Sequence, residues 1–118
     1  MKILVVDDSP FFTRRLSDFL KDLDHDVIEC NESTKSYDAF KANKPDLVFM
    51  DVLMPDMDGL TAMQTILADF PDARIIIVSS MGQQSKIIEA IQAGAMDFIV
   101  KPFEPSKVLA SLEKIQSL

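Results

Sequence analysis

The sequence predicts a single α/β domain, in which five helices surround a doubly wound parallel sheet of five strands. Five short apolar runs alternate along the chain with longer segments of helical period. The runs are mostly continuous rather than alternating apolar and polar residues, as expected for parallel strands that are buried on both faces. Right-handed crossovers then place helices on both sides of the sheet. Since no linker or low-complexity tract interrupts the sequence, one domain is expected to span residues 1–118.

The strands and helices follow from these patterns. The predicted strands are Ile3–Val6, Val27–Cys30, Leu47–Met50, Ile75–Val78 and Phe98–Val100. The first helix is expected to have Ser9 as its N-cap and Pro10 as its first residue, and the second to run roughly from Thr34 to Ala42. Gly94 is expected to end the fourth helix, and Pro105 to begin the fifth. The expected inner faces are Phe12, Leu16, Phe19, Leu20 and Leu23 in the first helix, Leu60, Met63, Ile66, Leu67 and Phe70 in the third, and Val108, Leu109, Leu112 and Ile115 in the fifth.

Composition excludes several classes of function. Lys and Arg number 12 against 19 Asp and Glu, and the net charge of -7 argues against direct binding to nucleic acid. No purely apolar run exceeds four residues, so we expect no membrane insertion, no signal peptide and a cytoplasmic location. With Cys30 the only cysteine and His25 the only histidine, neither an internal disulfide nor a zinc site is expected. Only three glycines are present, in neither of the two common nucleotide-binding spacings.

Polar residues follow four of the five predicted strands. Asp7 and Asp8 come after the first strand, Asp51 after the third, Ser79 after the fourth and Lys101 after the fifth. Because the carboxyl ends of parallel strands meet at one edge of the sheet, we expect these side chains to converge. A single Asp or Ser after a strand is commonly only a helix cap, so the functional interpretation depends on the combination.

Three converging carboxylates would repel one another, by roughly 4 kcal/mol for a pair about 4 Å apart at an intermediate dielectric. A cation with oxygen ligands relieves this repulsion, and one or two carboxylates with open positions suit Mg²⁺. Asp51, on a central strand, is the expected nucleophile toward phosphorus, with Lys101 and the Ser79 hydroxyl stabilising phosphoryl oxygens. Asp7 and Asp8 are adjacent and point in opposite directions, so we expect only one of them to bind the metal directly.

Four segments together carry a family resemblance. They are ILVVDDSP at the start, LVFMDVLMPDMDG around Asp51, IIIVSSMGQQ after the fourth strand and AGAMDFIVKPF around Lys101. Over its whole length the chain resembles the receiver domains of two-component response regulators, and most closely the single-domain, CheY-like chemotaxis regulators. The resemblance implies the flavodoxin-like strand order 2-1-3-4-5.

The resemblance also implies a reaction. Asp51 would accept a phosphoryl group from a sensor histidine kinase of the chemotaxis type. Mg²⁺ would be held by Asp8, Asp51 and the backbone carbonyl of Leu53, with Asp7 contributing through water. The protein would act as a monomer, and it would not be an enzyme beyond its own phosphorylation and dephosphorylation.

The switch residues are likewise implied by the resemblance. Ser79 would move toward the phosphoryl group, and Phe98 would be the paired switch aromatic. Its movement would remodel the face built from helix 4, strand 5 and helix 5. A flagellar motor switch protein is the expected output partner, and a phosphatase is a further possible partner. The alternatives are that Phe98 is an ordinary core residue and that Ser79 is a helix cap.

The fourth helix gives a separate indication about the partner face. Ile87 and Ile88 are adjacent, so both cannot point to the same line of the core. If Ile88 is buried, Ile87 and Ile91 lie partly outward, with Lys86 nearby. Together with Phe98 they are the expected docking residues.

Two positions depart from the receivers that lose their phosphate quickly, in which polar groups often stand two residues after the phosphorylated Asp and two after the switch hydroxyl. Leu53 and Met81 occupy those positions here. Because apolar side chains do not orient a water for attack, we hypothesise slow self-hydrolysis.

Alternative functions are a receiver of a general phosphorelay and a receiver cut from a DNA-binding regulator. A phosphatase of the haloacid dehalogenase kind is more distant, because its general acid two residues after the nucleophile is replaced by Leu53. A flavin carrier is disfavoured, because its phosphate would meet Asp7 and Asp8.

Overall fold

A five-stranded parallel sheet with helices on both faces forms the computed structural model, which describes residues 1–117. The strands are β1 (Lys2–Val6), β2 (Asp26–Cys30), β3 (Leu47–Asp51), β4 (Ile75–Ser79) and β5 (Asp97–Val100). The helices are α1 (Pro10–Asp22), α2 (Ser36–Asn43), α3 (Gly59–Asp69), α4 (Gln84–Gln92) and α5 (Pro105–Gln116). All strand pairings are parallel in the order β2-β1-β3-β4-β5, which confirms the predicted fold.

The two faces of the sheet build two separate hydrophobic cores. Ile3 and Val5 of β1 pack with the inner sides of α1 and α5, whereas Leu4 and Val6 pack with α2, α3 and α4. Successive strand side chains point to opposite faces, so a central strand covered on both sides must be apolar at every position. None of the helices described within residues 1–117 is long and apolar enough to cross a membrane.

The helix boundaries agree with the predicted signals. The Ser9 hydroxyl accepts a hydrogen bond from the backbone N–H of Phe12, and Pro10 is the first residue of α1. Gly94 follows the end of α4 with a φ of +121°, a conformation that favours glycine. Pro105 begins α5.

Some predicted details of the helices are wrong. The segment predicted as a second helix over Thr34–Ala42 begins with a 3₁₀ turn at Ser33–Lys35 before α2. Leu23 is 36% exposed because it lies just beyond the end of α1. Leu109 is 39% exposed, since it lies about 100° around α5 from the buried Val108. Four further residues of the predicted inner faces are half-buried but pack against the cores as predicted: Phe19, Leu60, Leu67 and Phe70.

Two buried serines on the helices differ in hydrogen bonding. The hydroxyl of Ser17 on α1 is fully buried and has no hydrogen-bond partner within residues 1–117. The hydroxyl of Ser111 on α5 is also buried but donates to Asp97 at 2.8 Å. A buried polar group without a partner loses its hydration without compensation.

We therefore expect Ser17→Ala to raise the free energy of unfolding by about 1 kcal/mol, because it removes an uncompensated buried hydroxyl. Ser111→Ala is the matched control and should lower the free energy of unfolding, because it leaves Asp97 without a donor. Urea denaturation followed by circular dichroism measures both values. Equal destabilisation by the two substitutions would contradict the interpretation.

Candidate functional site

The site lies at the carboxyl edge of the sheet, where the ends of four strands meet. Asp51 is the last residue of β3 and Ser79 the last of β4, while Asp7 directly follows β1 and Lys101 directly follows β5. Asp7, Asp8 and Asp51 each offer a carboxylate oxygen, and these oxygens lie within 4.8 Å of one another. The convergence predicted from the strand ends is thus present.

The adjacent residues Asp7 and Asp8 have different environments. Asp7 is 1% exposed, its Oδ1 accepts a hydrogen bond from the N–H of Ser9, and its Oδ2 faces Lys101. Asp8 lies on the solvent side and is exposed. The alternation of side chains along an extended segment explains the difference. An incoming cation can therefore reach Asp8 from solvent, whereas Asp7 is already engaged inside.

Lys101 supplies the positive charge of the site. Its Nζ lies 2.8 Å from Asp7 Oδ2, 3.3 Å from Asp51 Oδ2 and 4.6 Å from the centre of the Phe12 ring. Burial alone would lower the pKa of Lys101, but hydrogen bonding and the charges of both carboxylates outweigh it and raise that pKa. The Lys101 N–H also donates to the Ser79 carbonyl at 2.7 Å, and the Lys101–Pro102 peptide bond is cis. Lys101 therefore stays protonated between the two carboxylates.

Asp51 is a buried carboxyl group with perturbed acidity. Burial, followed by the negative charge of Asp7, raises its pKa from 3.8 to about 6. The Leu53 N–H, which donates to Asp51 Oδ1 at 3.2 Å, and Lys101 offset only part of this increase. One ammonium group does not fully compensate two buried carboxylates.

Gly59 is required for the close approach of α3 to Asp51. This role of Gly59 was not predicted from the sequence. A Cβ at this position would lie 1.8 Å from the carbonyl oxygen of Asp51. The Gly59 N–H donates to the Val52 carbonyl at 3.0 Å, and Asp58 caps α3 by accepting from the N–H of Leu60. The Asp-Gly pair at a helix start was the available signal, but it did not reveal the contact with Asp51.

Ser79 has a buried hydroxyl that lacks a partner. It is 0% exposed, and no group within residues 1–117 hydrogen-bonds to its Oγ. Its neighbour Val78 pairs in register with Asp51, so Ser79 belongs to the strand next to the carboxylate. The hydroxyl is not the cap of α4, since Gln83 precedes that helix. It is available to a ligand that arrives at this edge.

The donor set fits Mg²⁺. Three carboxylate oxygens at one edge are hard ligands, and hard oxygen ligands suit this ion. The incompletely balanced charge around Asp51 also favours a cation. The Leu53 carbonyl as a further ligand stays a prediction.

A groove lies beside the site, between the β4–α4 loop, α4 and β5. Met81, Ile87, Ile88 and Phe98 contribute to its largely apolar lining, and its volume is about 560 Å³. Met81 is 82% exposed and Phe98 is 45% exposed. Phe98 is therefore not an ordinary core residue in this conformation.

The assumption that Ile88 is buried is wrong, because Ile88 is 57% exposed. The inward face of α4 runs through Ala90, which is fully buried, and Ile88 lies two residues away on the opposite side. Ile91 is exposed as expected, while Ile87 is half-buried. The outward apolar pair on α4 is therefore Ile88 and Ile91.

Lys86 forms a partly exposed ion pair with the loop before α3. Its Nζ lies 3.2 Å from Asp58 Oδ2, so the side chain points toward the start of α3. This ion pair connects α4 to the loop that follows Asp51. Its placement on the docking face stays a prediction.

Comparison with known proteins identifies the family. The family model described as "Response regulator receiver domain" matches residues 3–113. The chain belongs to the response regulator receiver domain family. Family membership agrees with the fold and with the acidic site, and it disfavours the phosphatase and flavin-carrier alternatives.

The receiver is similar to curated chemotaxis proteins over nearly its full length. It is 44% identical over 115 residues to the chemotaxis protein CheY of Thermotoga maritima, covering 97% of this chain and 96% of that protein. It is 46% identical over 114 residues to the chemotaxis protein CheY of Bacillus subtilis, covering 96% and 95%.

Solved structures share the fold of the receiver. A putative response regulator from Chloroflexus aurantiacus has a TM-score of 0.92 at 26% identity, covering 99% of this chain and 98% of that one. NtrX from Brucella abortus has a TM-score of 0.91 at 28% identity, but the receiver spans only 26% of the NtrX chain. The likeness to NtrX thus concerns one part of a longer protein.

The raised pKa of Asp51 predicts a pH-dependent stability without metal. The folded state holds this proton more tightly than the unfolded state, so Asp51 lowers the free energy of unfolding as pH rises from about 4 to about 6. Asp51→Asn removes the titration, and its stability advantage should grow over that interval by on the order of 3 kcal/mol.

Urea denaturation in EDTA at several pH values measures this difference between the wild type and Asp51→Asn. Saturating Mg²⁺ at neutral pH should reduce the advantage of the variant, because the ion relieves the repulsion in the wild type. An advantage that is constant across the pH range would contradict the assignment.

Proposed function

We propose that this receiver is a phosphorylation-activated switch whose phosphate acceptor is Asp51. The main support is the environment of the Asp51 carboxyl group. It is 5% exposed, lies at the end of a central strand, and is close to further carboxylates and to a lysine ammonium group. An oxygen of Asp51 attacks the phosphorus of a kinase phosphohistidine, the P–N bond breaks, and the histidine leaves. The product is an aspartyl phosphate on this chain.

Mg²⁺ is the proposed cofactor, with Asp8, Asp51 and the Leu53 carbonyl as ligands and Asp7 acting through water. When bound, the ion supplies positive charge that lowers the repulsion between the carboxylates and an incoming phosphate. The exposed Asp8 is accessible from solvent for this purpose. Asp7, buried beside Lys101, fixes the ammonium close to Asp51.

Lys101 and Ser79 are proposed to recognise the phosphoryl oxygens. The Lys101 ammonium already lies 3.3 Å from Asp51 Oδ2, so a group joined to that carboxylate stays within its reach. The Ser79 hydroxyl gains its missing partner if it turns toward the phosphoryl group. Satisfying a buried hydroxyl favours the phosphorylated conformation and provides the physical basis of the switch.

The output is proposed to be chemotactic. Similarity to CheY proteins over nearly the full chain supports a chemotaxis-type histidine kinase as phosphate donor and a flagellar motor switch protein as target. Phe98 and the groove beside α4 are the proposed docking surface. The monomeric state, the cytoplasmic location and the absence of other enzymatic activity stay predictions.

Phosphorylation is tested by incubating the protein with acetyl phosphate and measuring intact mass. The wild type should gain the mass of one phosphoryl group with Mg²⁺ and not in EDTA. Asp51→Asn should gain none, because the acceptor oxygen is lost. Asp72→Asn, at an exposed aspartate before β4, is the matched control and should react like the wild type. A mass gain that survives Asp51→Asn or that ignores the metal would contradict the proposal.

The lifetime of the phosphate is expected to be minutes or longer. Leu53 and Met81 are 59% and 82% exposed, and neither side chain offers a polar group to orient an attacking water. The double substitution Leu53→Asn and Met81→Glu should shorten the lifetime. The loss of the phosphoryl mass after removal of the phosphodonor measures this lifetime. A wild-type half-life of seconds would refute this expectation.

A further inference from the structure

The loop between β3 and α3 is fastened at its tip by Asp56. Ser33 Oγ lies 2.8 Å from Asp56 Oδ1 and 2.6 Å from the Met57 carbonyl oxygen. Asp56 Oδ2 accepts a hydrogen bond from the Thr34 N–H at 3.0 Å and from the Thr34 hydroxyl at 2.9 Å. These contacts join the loop to the 3₁₀ turn that precedes α2.

The residue that holds Asp56 is itself fixed. Ser33 is 1% exposed, and its carbonyl accepts a hydrogen bond from the Ser36 hydroxyl at 2.6 Å at the start of α2. The backbone N–H of Thr34 and the two hydroxyl groups hold the pKa of Asp56 well below its usual range. The loop tip is therefore anchored to a well-packed part of the chain through an ionised acceptor.

Asp56 is not part of the acidic cluster, which consists of Asp7, Asp8 and Asp51 within residues 1–117. It follows Leu53 by three residues in the same loop. The start of that loop is bound to Asp51 by the Leu53 N–H, and its end is held by the bond from Gly59 to Val52. Asp56 provides the side-chain attachment in between.

We propose that Asp56 is a positioning residue for the metal, which preorganises the backbone around Leu53 so that the loop does not lose freedom when the ion binds. The inference rests on the proposed function, since it takes the Leu53 carbonyl as a ligand of Mg²⁺. Ordering a loop costs conformational entropy. A loop that is ordered beforehand leaves more of the interaction energy for binding. Groups that hydrogen-bond directly to metal ligands commonly change the affinity about 10- to 100-fold, and a residue that acts through the loop should lie at the lower end of this range.

A simple charge effect would also weaken Mg²⁺ binding on loss of Asp56. Ser33→Ala separates the two explanations, because it removes the contacts of Ser33 Oγ with the loop while the charge of Asp56 and its hydrogen bonds from Thr34 stay. The positioning role requires Ser33→Ala and Asp56→Ala to act through the same attachment, so that their effects are not additive. Asp72→Asn removes an exposed charge elsewhere and controls for net charge.

The dissociation constant for Mg²⁺ is measured by isothermal titration calorimetry on the whole folded protein. Asp56→Ala and Ser33→Ala should each weaken binding, by about tenfold for Asp56→Ala. The double variant should bind more weakly than Asp56→Ala, because the contact of Ser33 Oγ with the Met57 carbonyl is also lost, but by less than the product of the two single effects. Asp72→Asn should bind like the wild type. In phosphorylation by acetyl phosphate, the Mg²⁺ concentration for half-maximal rate should rise while the rate at saturating Mg²⁺ is kept.

Hydrogen exchange in EDTA adds a readout that does not depend on the metal. The amide of Leu53 should exchange faster in Asp56→Ala and in Ser33→Ala than in the wild type, while the amides of β3 stay protected. Wild-type exchange in both variants would overturn the proposal. If the Leu53 amide exchanges faster in Ser33→Ala but this variant keeps wild-type Mg²⁺ affinity, while Asp56→Ala binds more weakly, the proposal is also overturned, in favour of charge alone.

Different results would contradict the proposed function and the proposed role of Asp56. If wild-type protein shows no Mg²⁺-dependent mass gain at Asp51, the function itself is wrong, whatever the variants do. If the wild type reacts as expected and all anchor variants bind Mg²⁺ equally well, only the role of Asp56 is overturned.

Discussion

The contact between the Lys101 ammonium and two buried carboxylates is the interaction on which the site depends. Lys101 Nζ lies within 3.3 Å of oxygens of both Asp7 and Asp51, which makes their burial tolerable. The compensation is incomplete, since the pKa of Asp51 remains raised to about 6. The remaining repulsion favours a cation, and the nearby exposed Asp8 is the proposed ligand on the solvent side.

The parallel sheet makes this arrangement possible. Strand ends that are far apart in sequence meet at one edge, and the central strands β3 and β4 are buried along their whole length. Gly59 lets the start of α3 approach Asp51. The buried hydroxyl of Ser79, on the strand next to that of Asp51, has no hydrogen-bond partner among residues 1–117. Unlike the buried hydroxyl of Ser17 on α1, which also lacks a partner within residues 1–117, that of Ser79 lies at the sheet edge where the carboxylates meet, so a ligand bound there can satisfy it.

The sheet and the converging residues could be predicted from the residues themselves, because apolar runs mark strands and polar residues directly after them mark the edge. The strand order was implied by the family resemblance. Other features depend on contacts between distant segments, which periodicity does not encode. The condition that Ile88 is buried does not hold, since the small Ala90 and not a large residue faces the sheet. The anchor between Ser33 and Asp56 spans 23 positions, and no local pattern pointed to it.

The most direct test of the account is to locate a metal ion in crystals of the protein soaked with Mn²⁺, which accepts the same oxygen ligands as Mg²⁺. The account predicts one anomalous difference peak at the carboxyl edge, bound by the carboxylates of Asp8 and Asp51 and by the carbonyl oxygen of Leu53. Absence of a peak there, at Mn²⁺ concentrations that support phosphorylation, would contradict the claim that these acidic groups share a cation.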